Sequence, residues 1–429
     1  MRALRWLLIA VLLIAAAFYL LFVFPLHNPH PALVFPAGTL AVRDVRIYIE
    51  PDSQPIEHGT VLARSGVIVA VGQHIDIPQD TQIIECPNCT VTAGFWNTHV
   101  HFTQSKWDNA AYKSAGTLNA QLADIATSRG FTTVVDLSSD LRQVVSLRRR
   151  IETGGLKGPR IYAAGSGQFP PHGIPFYLAD LPFFIKWMTP QPETPEAAAK
   201  IEETNIARGA DVLKLFTGSL VSRREVLPMP VDNARAAVEV AHRHGQLAFA
   251  HESNLAGTKV AIDSGVDVLA HAPSEPSGVD AALVQSIVDH HMAMIPTLKM
   301  FATTVTTDHQ FLDPIYAVVR QFHSIGGDFL FGTDVGYMTD YSTEDEFRAL
   351  EKCGLNYRDV LRMLTVAPAN RFKVAARFGT ITPGKMADLV VLDGDPASDV
   401  TAFSRVHFTI RTGQLIYERS SRYGHDSIE

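Results

Sequence analysis

Eight apolar segments with the length of β-strands recur between residues 95 and 334, and helix-like segments separate most of them. They are Phe95–His101, Phe131–Leu137, Arg160–Gly165, Val212–Phe216, Leu247–His251, Val266–His271, Ala293–Leu298 and Phe329–Asp334. This alternation predicts an α/β fold, a (β/α)8 TIM-like barrel. A doubly wound sheet is disfavoured, because no glycine-rich phosphate loop follows any of the strands.

Strand-like sequence also flanks this region on both sides. Residues 41–49 alternate between apolar and polar side chains, and residues 387–392 and 407–411 form further short apolar runs. We therefore expect a barrel over residues 93–377. The flanks, residues 37–92 and 378–420, are expected to pair as a small β-sandwich domain, followed by a tail over residues 421–429.

The first 25 residues differ from the rest of the chain. Arg2 and Arg5 precede an uncharged apolar run from Trp6 to Phe24, which as a helix would measure about 28 Å, close to the thickness of a bilayer core. This predicts an N-terminal transmembrane helix over residues 1–25, a signal anchor, and then a proline-rich linker over residues 26–36. The positive charges predict that the N-terminus lies in the cytoplasm and the rest of the chain outside it, on the periplasmic or extracellular side. The small residues Ala15–Ala17 leave cleavage and secretion as the alternative.

The overall charge restricts the class of partner. Lysine and arginine total 37 against 44 aspartates and glutamates, which gives a net charge of −7. Since no basic run is longer than the three arginines Arg148–Arg150, nucleic acid is not expected as a partner. We expect a small-molecule substrate and contact with a membrane through the N-terminal helix, and the sequence is compatible with a homo-oligomer.

Three cysteines are too few for a scaffold built on disulfides. Two of them form the motif Cys86-Pro87-Asn88-Cys89, directly before the first barrel strand. A zinc ribbon would need a second cysteine pair, which is absent. In a domain outside the cytoplasm a local disulfide is the favoured interpretation, and free thiols are the alternative.

Metal-competent side chains stand at the ends of five predicted barrel strands: His99 with His101, Lys214, His251, His271 and Asp334. Residues two apart on a strand share a face, so both imidazoles of the first pair can point at one ion. Barrel active sites form at these C-terminal strand ends. A second His-x-His, at His242 and His244, falls in the last turn of a predicted helix, and we interpret it as a surface feature.

With these motifs the chain resembles the amidohydrolase superfamily, in its metal-dependent form with a carboxylated lysine. The first-strand motif spans Thr90–His101 and the closing motif spans Gly379–Leu392. The resemblance covers roughly Ala37 to Tyr417 and is greatest for the imidazolonepropionase-like and prolidase-like branch. True imidazolonepropionases lack the lysine on the fourth strand, so that branch name does not identify the substrate.

The resemblance implies a role for each strand-end residue. It implies two divalent ions, for which imidazole and carboxylate ligands favour Zn²⁺. His99 and His101 would hold the more buried ion, and His251 and His271 would hold the outer ion. Lys214 would bridge both ions as N6-carboxylysine, a carbamate formed with CO2. Asp334 would bind the buried ion and act as general base and acid. Burial of Lys214 between apolar residues supports its role, because it lowers the pKa of the ammonium group and a neutral amine can take up CO2.

These roles predict a metal-dependent hydrolase in which a metal-bridging hydroxide attacks an amide-type carbon–nitrogen bond of a small molecule. A dipeptide or an N-acyl amino acid is the leading substrate class. One alternative is a mononuclear-metal deaminase of an amino-heterocycle, against which Lys214 argues. Another is a catalytically inactive membrane-anchored binding protein. His172, after the third strand, and Tyr337, after the eighth, are candidate substrate contacts.

Overall fold

The structure is a computed structural model that describes residues 2–18, 29–178, 186, 189–222, 224–275, 278–304 and 312–419. Its helices are α1 (Arg2–Phe18), α2 (Ala115–Ile125), α3 (Leu141–Glu152), α4 (Pro195–Ala207), α5 (Val231–Arg243), α6 (Leu255–Ser264), α7 (Ala281–Asp289), α8 (Leu298–Thr304), α9 (Leu312–Ser324), α10 (Glu344–Lys352), α11 (Tyr357–Leu364) and α12 (Val366–Arg371). Side-chain caps fix several helix starts. At α4, for example, the Thr194 hydroxyl accepts a hydrogen bond from the Ala197 amide, and proline occupies the first helical position.

The strands begin with a group of five that precedes the barrel region: β1 (Thr39–Ile47), β2 (Ile56–Arg64), β3 (Val67–Gly72), β4 (Thr81–Glu85) and β5 (Cys89–Ala93). The central strands are β6 (Phe95–Val100), β7 (Phe131–Asp136), β8 (Arg160–Ala163), β9 (Val212–Phe216), β10 (Gly218–Ser222), β11 (Glu225–Pro228), β12 (Leu247–His251), β13 (Val268–Leu269), β14 (Ala293–Met294) and β15 (Asp328–Phe329). The last three are β16 (Leu389–Asp393), β17 (Val406–Arg411) and β18 (Gln414–Glu418).

Both flanks of the chain meet in one mixed sheet of eight strands, in the order β18-β17-β16-β5-β1-β2-β3, with β4 beside β1. The join is the antiparallel pair β5–β16, in which Val91 lies opposite Val391. The predicted β-sandwich is therefore wrong in form, because the strands make a single hydrogen-bonded sheet. Its apolar residues, including Val42, Val91 and Ile410, are buried in one cluster.

Eight of the ten central strands lie in two parallel sheets, β6-β7-β8 and β15-β14-β13-β12-β9, and β10 and β11 form a separate antiparallel pair. The two sheets meet at two edges, which we call the β6–β15 seam and the β8–β9 seam. In the part of the chain that the structure describes, isolated bridges such as Val100–Val335 and Gln168–Leu215 join them there instead of continuous ladders. The prediction of a closed (β/α)8 barrel is wrong in this respect. The physical reason is that β15 has only two extended residues, and the chain then turns through Asp334 at φ 59°.

The predicted N-terminal transmembrane helix is also wrong. The described part of α1 comprises 17 residues, Arg2–Phe18. Among the described residues no helix is both long and apolar enough to cross a membrane. Residues 19–28, which contain the end of the predicted span and the start of the predicted linker, and the predicted tail over 421–429 lie outside the described residues.

Candidate metal centre

Two histidines from the end of β6 face the carboxylate of Asp334 across the β6–β15 seam. The Nε2 atom of His99 lies 3.4 Å from Oδ1 of Asp334, and the Nε2 atom of His101 lies 2.9 Å from the same oxygen. Each residue offers one ligand atom, and the three atoms lie within 4.8 Å of one another. This is a compact group of the kind that binds a divalent transition metal.

The protonation of His99 is fixed by its surroundings. Its ring is buried, and Nδ1 donates a hydrogen bond to the carbonyl oxygen of Ala270 at 2.8 Å. Burial, and after it the positive charge of Lys214, holds the pKa of His99 well below its usual value. The neutral ring therefore keeps its proton on Nδ1 and directs the Nε2 lone pair at Asp334, as a metal ligand does.

Asp334 is held in place by an unusual backbone conformation. Its φ of 59° lies in the left-handed region, which is rare for a residue other than glycine. The Asp334 amide donates to the His99 carbonyl at 2.9 Å, which stabilises this turn. At Gly336 a Cβ atom would stand 1.9 Å from the carbonyl oxygen of His101, so only glycine fits there.

Lys214 extends the group toward the second sheet. It lies in the middle of β9, with about 1% of its surface exposed. Burial lowers its pKa to about 8, although the charges of Asp334 and Glu252 oppose the shift. At such a pKa roughly a tenth of the amine is neutral at pH 7, and the neutral amine is the form that reacts with CO2.

His251 and His271 complete the set on the five-stranded sheet. The ring centroid of His271 lies 4.8 Å from that of His99 and 4.7 Å from that of His251. Burial lowers the pKa of His251 to about 3 and that of His271 well below its usual value. Nδ1 of His271 lies 2.8 Å from the Thr297 hydroxyl, which orients the ring. The structure thus brings all six sequence-predicted ligand residues together.

A cation fits this arrangement. Oδ1 of Asp334 is buried and has no hydrogen-bond partner in the part of the chain that the structure describes. Nε2 of His99 carries a lone pair, because its ring proton is on Nδ1, and lies 3.4 Å from this oxygen, so acceptor faces acceptor at this contact. A buried set of this kind is costly unless a positive ion lies between its members.

Two buried carboxyl groups beside the centre are not among the predicted site residues. Asp136 ends β7; burial raises its pKa to about 6, and its Oδ1 accepts hydrogen bonds from the Phe102 amide and the Ser139 hydroxyl. Glu252 directly follows His251, and burial raises its pKa to about 8. The search for polar residues at the ends of barrel strands could have identified Asp136, because it is the last residue of β7, the second strand of the barrel region.

The two predicted substrate contacts lie in different settings. Tyr337 is half-exposed, and its ring centroid lies 5.8 Å from that of Tyr177. Burial, and after it the charge of Asp334, raises the pKa of both tyrosines, so the two rings border the centre. His172 is exposed, at φ 59°. Among the described residues no hydrogen bond, ion pair or ring contact joins it to the six ligand residues.

The sequence motifs and the centre agree with a family assignment. A profile of the amidohydrolase family matches residues 90–416. The chain belongs to the amidohydrolase family. It is accordingly a hydrolase, with the six residues above at its candidate active site.

Solved structures show the same fold as this amidohydrolase. A Xaa-Pro dipeptidase with methionine bound in its active site has a TM-score of 0.75 at 22% identity, over 89% of this chain and 100% of that one. A putative prolidase from Bifidobacterium longum has a TM-score of 0.74 at 23% identity, over 90% of this chain and 95% of that one. At this level of identity the likeness concerns the fold.

One curated relative matches a short part of the amidohydrolase. An adenine deaminase from Rubrobacter xylanophilus is 37% identical over 65 residues, which is 15% of this chain and 10% of that protein. The chain therefore spans only a small fraction of that relative's length.

Proposed function

We propose that this amidohydrolase uses two divalent metal ions to hydrolyse an amide-type carbon–nitrogen bond of a small molecule. One observation carries the proposal: a lysine lies fully buried among neutral histidines and the carboxylate of Asp334, with its pKa lowered to about 8. Such a lysine is costly as a cation but suits a carbamate that bridges two ions.

The ligands divide between the two ions by their position. His99, His101 and Asp334 would hold the more buried ion, and His251 and His271 the outer one, with carboxylated Lys214 shared between them. Zinc fits these nitrogen and oxygen donors. When bound, the ions would polarise the scissile carbonyl group and lower the pKa of the attacking water.

The residues of the chain then perform the proton transfer. Asp334 would accept the proton of the attacking water on its carboxylate, which is buried beside the histidines. The same carboxylate would deliver the proton to the leaving nitrogen as the carbon–nitrogen bond breaks. Burial of Asp334 keeps bulk water from competing for this proton.

A dipeptide or an N-acyl amino acid is the substrate class that we propose. The aromatic rings beside the centre suit an apolar side chain: Phe169 stacks on Phe216 at 4.0 Å, and Phe216 lies 5.1 Å from His251. Two of the proteins with the same fold are a Xaa-Pro dipeptidase and a putative prolidase, which makes Xaa-Pro dipeptides the first substrates to test.

The test combines metal content, carbamate detection and turnover. The full chain is purified without chelators, with ¹³C-labelled bicarbonate, and is assayed by elemental analysis and carbon NMR. We expect about two ions per chain, a carbamate carbon signal, and release of free amino acid from Xaa-Pro dipeptides or N-acyl amino acids. Ammonia release from adenine with one bound ion would favour deamination instead. A chain that takes up no ion and hydrolyses none of these compounds would overturn the proposal.

A further inference from the structure

A second set of metal-competent side chains lies at the eight-stranded sheet and shares no residue with the candidate centre described above. It consists of Cys86, Cys89, Asp393 and His407, which we call the flank cluster. One ligand atom from each of them lies within 4.8 Å of the others. The sequence lacks a second cysteine pair for zinc, and here an aspartate and a histidine occupy that place.

The sheet topology assembles this cluster. Cys89 starts β5 and lies directly opposite Asp393, the last residue of β16. His407 lies on β17, the next strand. Cys86 joins them through a tight turn, in which the Cys89 amide donates to the Cys86 carbonyl at 3.0 Å and Asn88 adopts φ 67°. Both ends of the barrel region thereby contribute ligand atoms to one point.

Three distances between ligand atoms are close to the edges of a tetrahedral zinc site, whereas the two sulfur atoms are bonded to each other and must separate before both can bind an ion. Sγ of Cys86 lies 3.7 Å from Nδ1 of His407, and Sγ of Cys89 lies 3.7 Å from Oδ1 of Asp393. Nδ1 of His407 lies 3.1 Å from Oδ1 of Asp393. Zinc bonds of about 2.3 Å to sulfur and about 2.0–2.1 Å to nitrogen or oxygen give tetrahedral edges of about 3.6 Å and about 3.3 Å.

The environment suits an ion that enters from solvent. The two cysteines are buried, whereas the side chains of His407 and Asp393 are about one-third exposed, at 30% and 35%. Oδ2 of Asp393 pairs with the Arg419 guanidinium, which leaves Oδ1 directed at the cysteines and the histidine. The cluster therefore has an open side and an oriented carboxylate.

We propose that the flank cluster binds a divalent transition metal, zinc by ligand type, when its two cysteines are reduced. In the structure the two sulfur atoms are joined as a disulfide. A phosphine reductant supplies the two electrons that break this bond; water supplies the two thiol protons, and its oxygen is transferred to the phosphine, which becomes a phosphine oxide. Binding of the ion then releases both thiol protons to solvent and forms two metal–thiolate bonds. The two cysteines cannot form a disulfide and bind a metal ion as thiolates at the same time. The redox state therefore decides whether a disulfide or a metal ion connects the residues of the flank cluster.

Cobalt(II) tests the proposal, because a thiolate-to-cobalt charge-transfer band reports cysteine ligands alone. The six residues of the barrel centre include no cysteine, so cobalt bound there gives no such band. The full chain is reduced with a phosphine and titrated with Co²⁺. We expect the band in the reduced wild type and in Cys353→Ser, and its loss in unreduced protein and in the double variant Cys86→Ser/Cys89→Ser. A reduced wild type without the band, or a double variant that keeps it, would overturn the proposal.

The other two ligands need their own variants. His407→Gln and Asp393→Asn should each weaken cobalt binding at the flank cluster at least several-fold, whereas His58→Ala should not. His58 is the matched control, because it pairs with Asp44 on the same sheet at 2.8 Å with no cysteine nearby. Unchanged affinity in both ligand variants would contradict the four-ligand site.

A measurement on the wild-type chain tests the proposal even if the variants fail to fold. X-ray absorption of the reduced, zinc-loaded wild type should show sulfur neighbours at about 2.3 Å, and a spectrum with nitrogen and oxygen neighbours alone would refute the proposal. The proposal is independent of the hydrolase activity. Cys86→Ser/Cys89→Ser should keep the two ions of the barrel centre and its turnover.

Discussion

His101 and Asp334 meet across the β6–β15 seam, with Nε2 of the histidine 2.9 Å from Oδ1 of the aspartate. The backbone supports the same crossing, since the His101 amide donates to the Val335 carbonyl at 2.7 Å. The two parallel sheets lack a continuous ladder at this edge. The ligand pair thus lies where the strands have already ended and the chain is free to turn side chains toward one point.

Asp334→Asn should reduce turnover by about 10²–10⁴-fold, because an amide cannot accept and return the proton. The thermal transition should change little, since the backbone turn at this position is kept. Steady-state kinetics and a thermal melt on the same preparation check both. Asp80→Asn, at an exposed turn, is the control. Full activity in Asp334→Asn would remove this residue from the mechanism.

Lys214→Ala should lower the metal content from about two ions to one or fewer, because the bridging group is removed. The carbamate carbon signal should disappear with it. Lys259→Ala, on the exposed face of α6, should change neither measurement. A Lys214→Ala protein that still carries two ions would contradict the bridging role.

Tyr337→Ala should raise KM for the best substrate more than it lowers kcat, since this half-exposed ring lies beside the centre and Tyr177 rather than among the ligands. Tyr112→Ala, at a ring that is 88% exposed, provides the comparison. Equal kinetics in both variants would argue against contact between Tyr337 and the substrate.

Glu202 should make the stability of the fold depend on pH. Burial raises its pKa to about 8 in the folded state, so the folded chain binds more protons than the unfolded chain between about pH 5 and pH 8, and stability falls as pH rises through this range. Glu202→Gln should make this decline less steep, with a gain over the wild type on the order of 3 kcal/mol at pH 8; the buried carboxyl groups of Asp136 and Glu252 account for part of the decline that is left.

Denaturant unfolding at several pH values checks the Glu202 prediction. The neighbouring variant Glu203→Gln is the control, because that side chain is exposed on the same helix. Parallel pH profiles for Glu202→Gln and the wild type would show that Glu202 does not cause the decline.

Arg411→Ala should destabilise the fold by about 3–5 kcal/mol, because it leaves the buried Glu152 carboxylate without its partner. The pair joins β17 to the end of α3, and so links the mixed sheet to the barrel region. Arg43→Ala breaks the exposed pair with Glu85 and should cost less than about 1 kcal/mol. Equal melting shifts for the two variants would contradict this difference.

The candidate centre could be predicted from the sequence because its residues obey two local rules. His99 and His101 share a strand face, and the others stand where apolar strands end. The same reasoning distinguishes the second His-x-His motif from the metal ligands. His242 and His244 are exposed and pair with Asp267 and Glu203 on the surface. That interpretation is confirmed.

The remaining features depend on contacts that no local pattern encodes. Cys89 and Asp393 are 304 positions apart, and only the pairing of β5 with β16 brings them together. The seams depend on where each strand leaves the extended conformation, as at Asp334.

The pairing of β5 with β16 has a consequence for the order of folding. Strand β5 is synthesised early, but its partner follows only after the whole barrel region. Until then one side of β5 exposes unpaired backbone groups, which invite association with other chains. Closing so long a loop is also slow. Synthesis on the ribosome is thus a vulnerable period for this chain, and truncation before residue 389 should yield aggregates rather than a smaller folded protein.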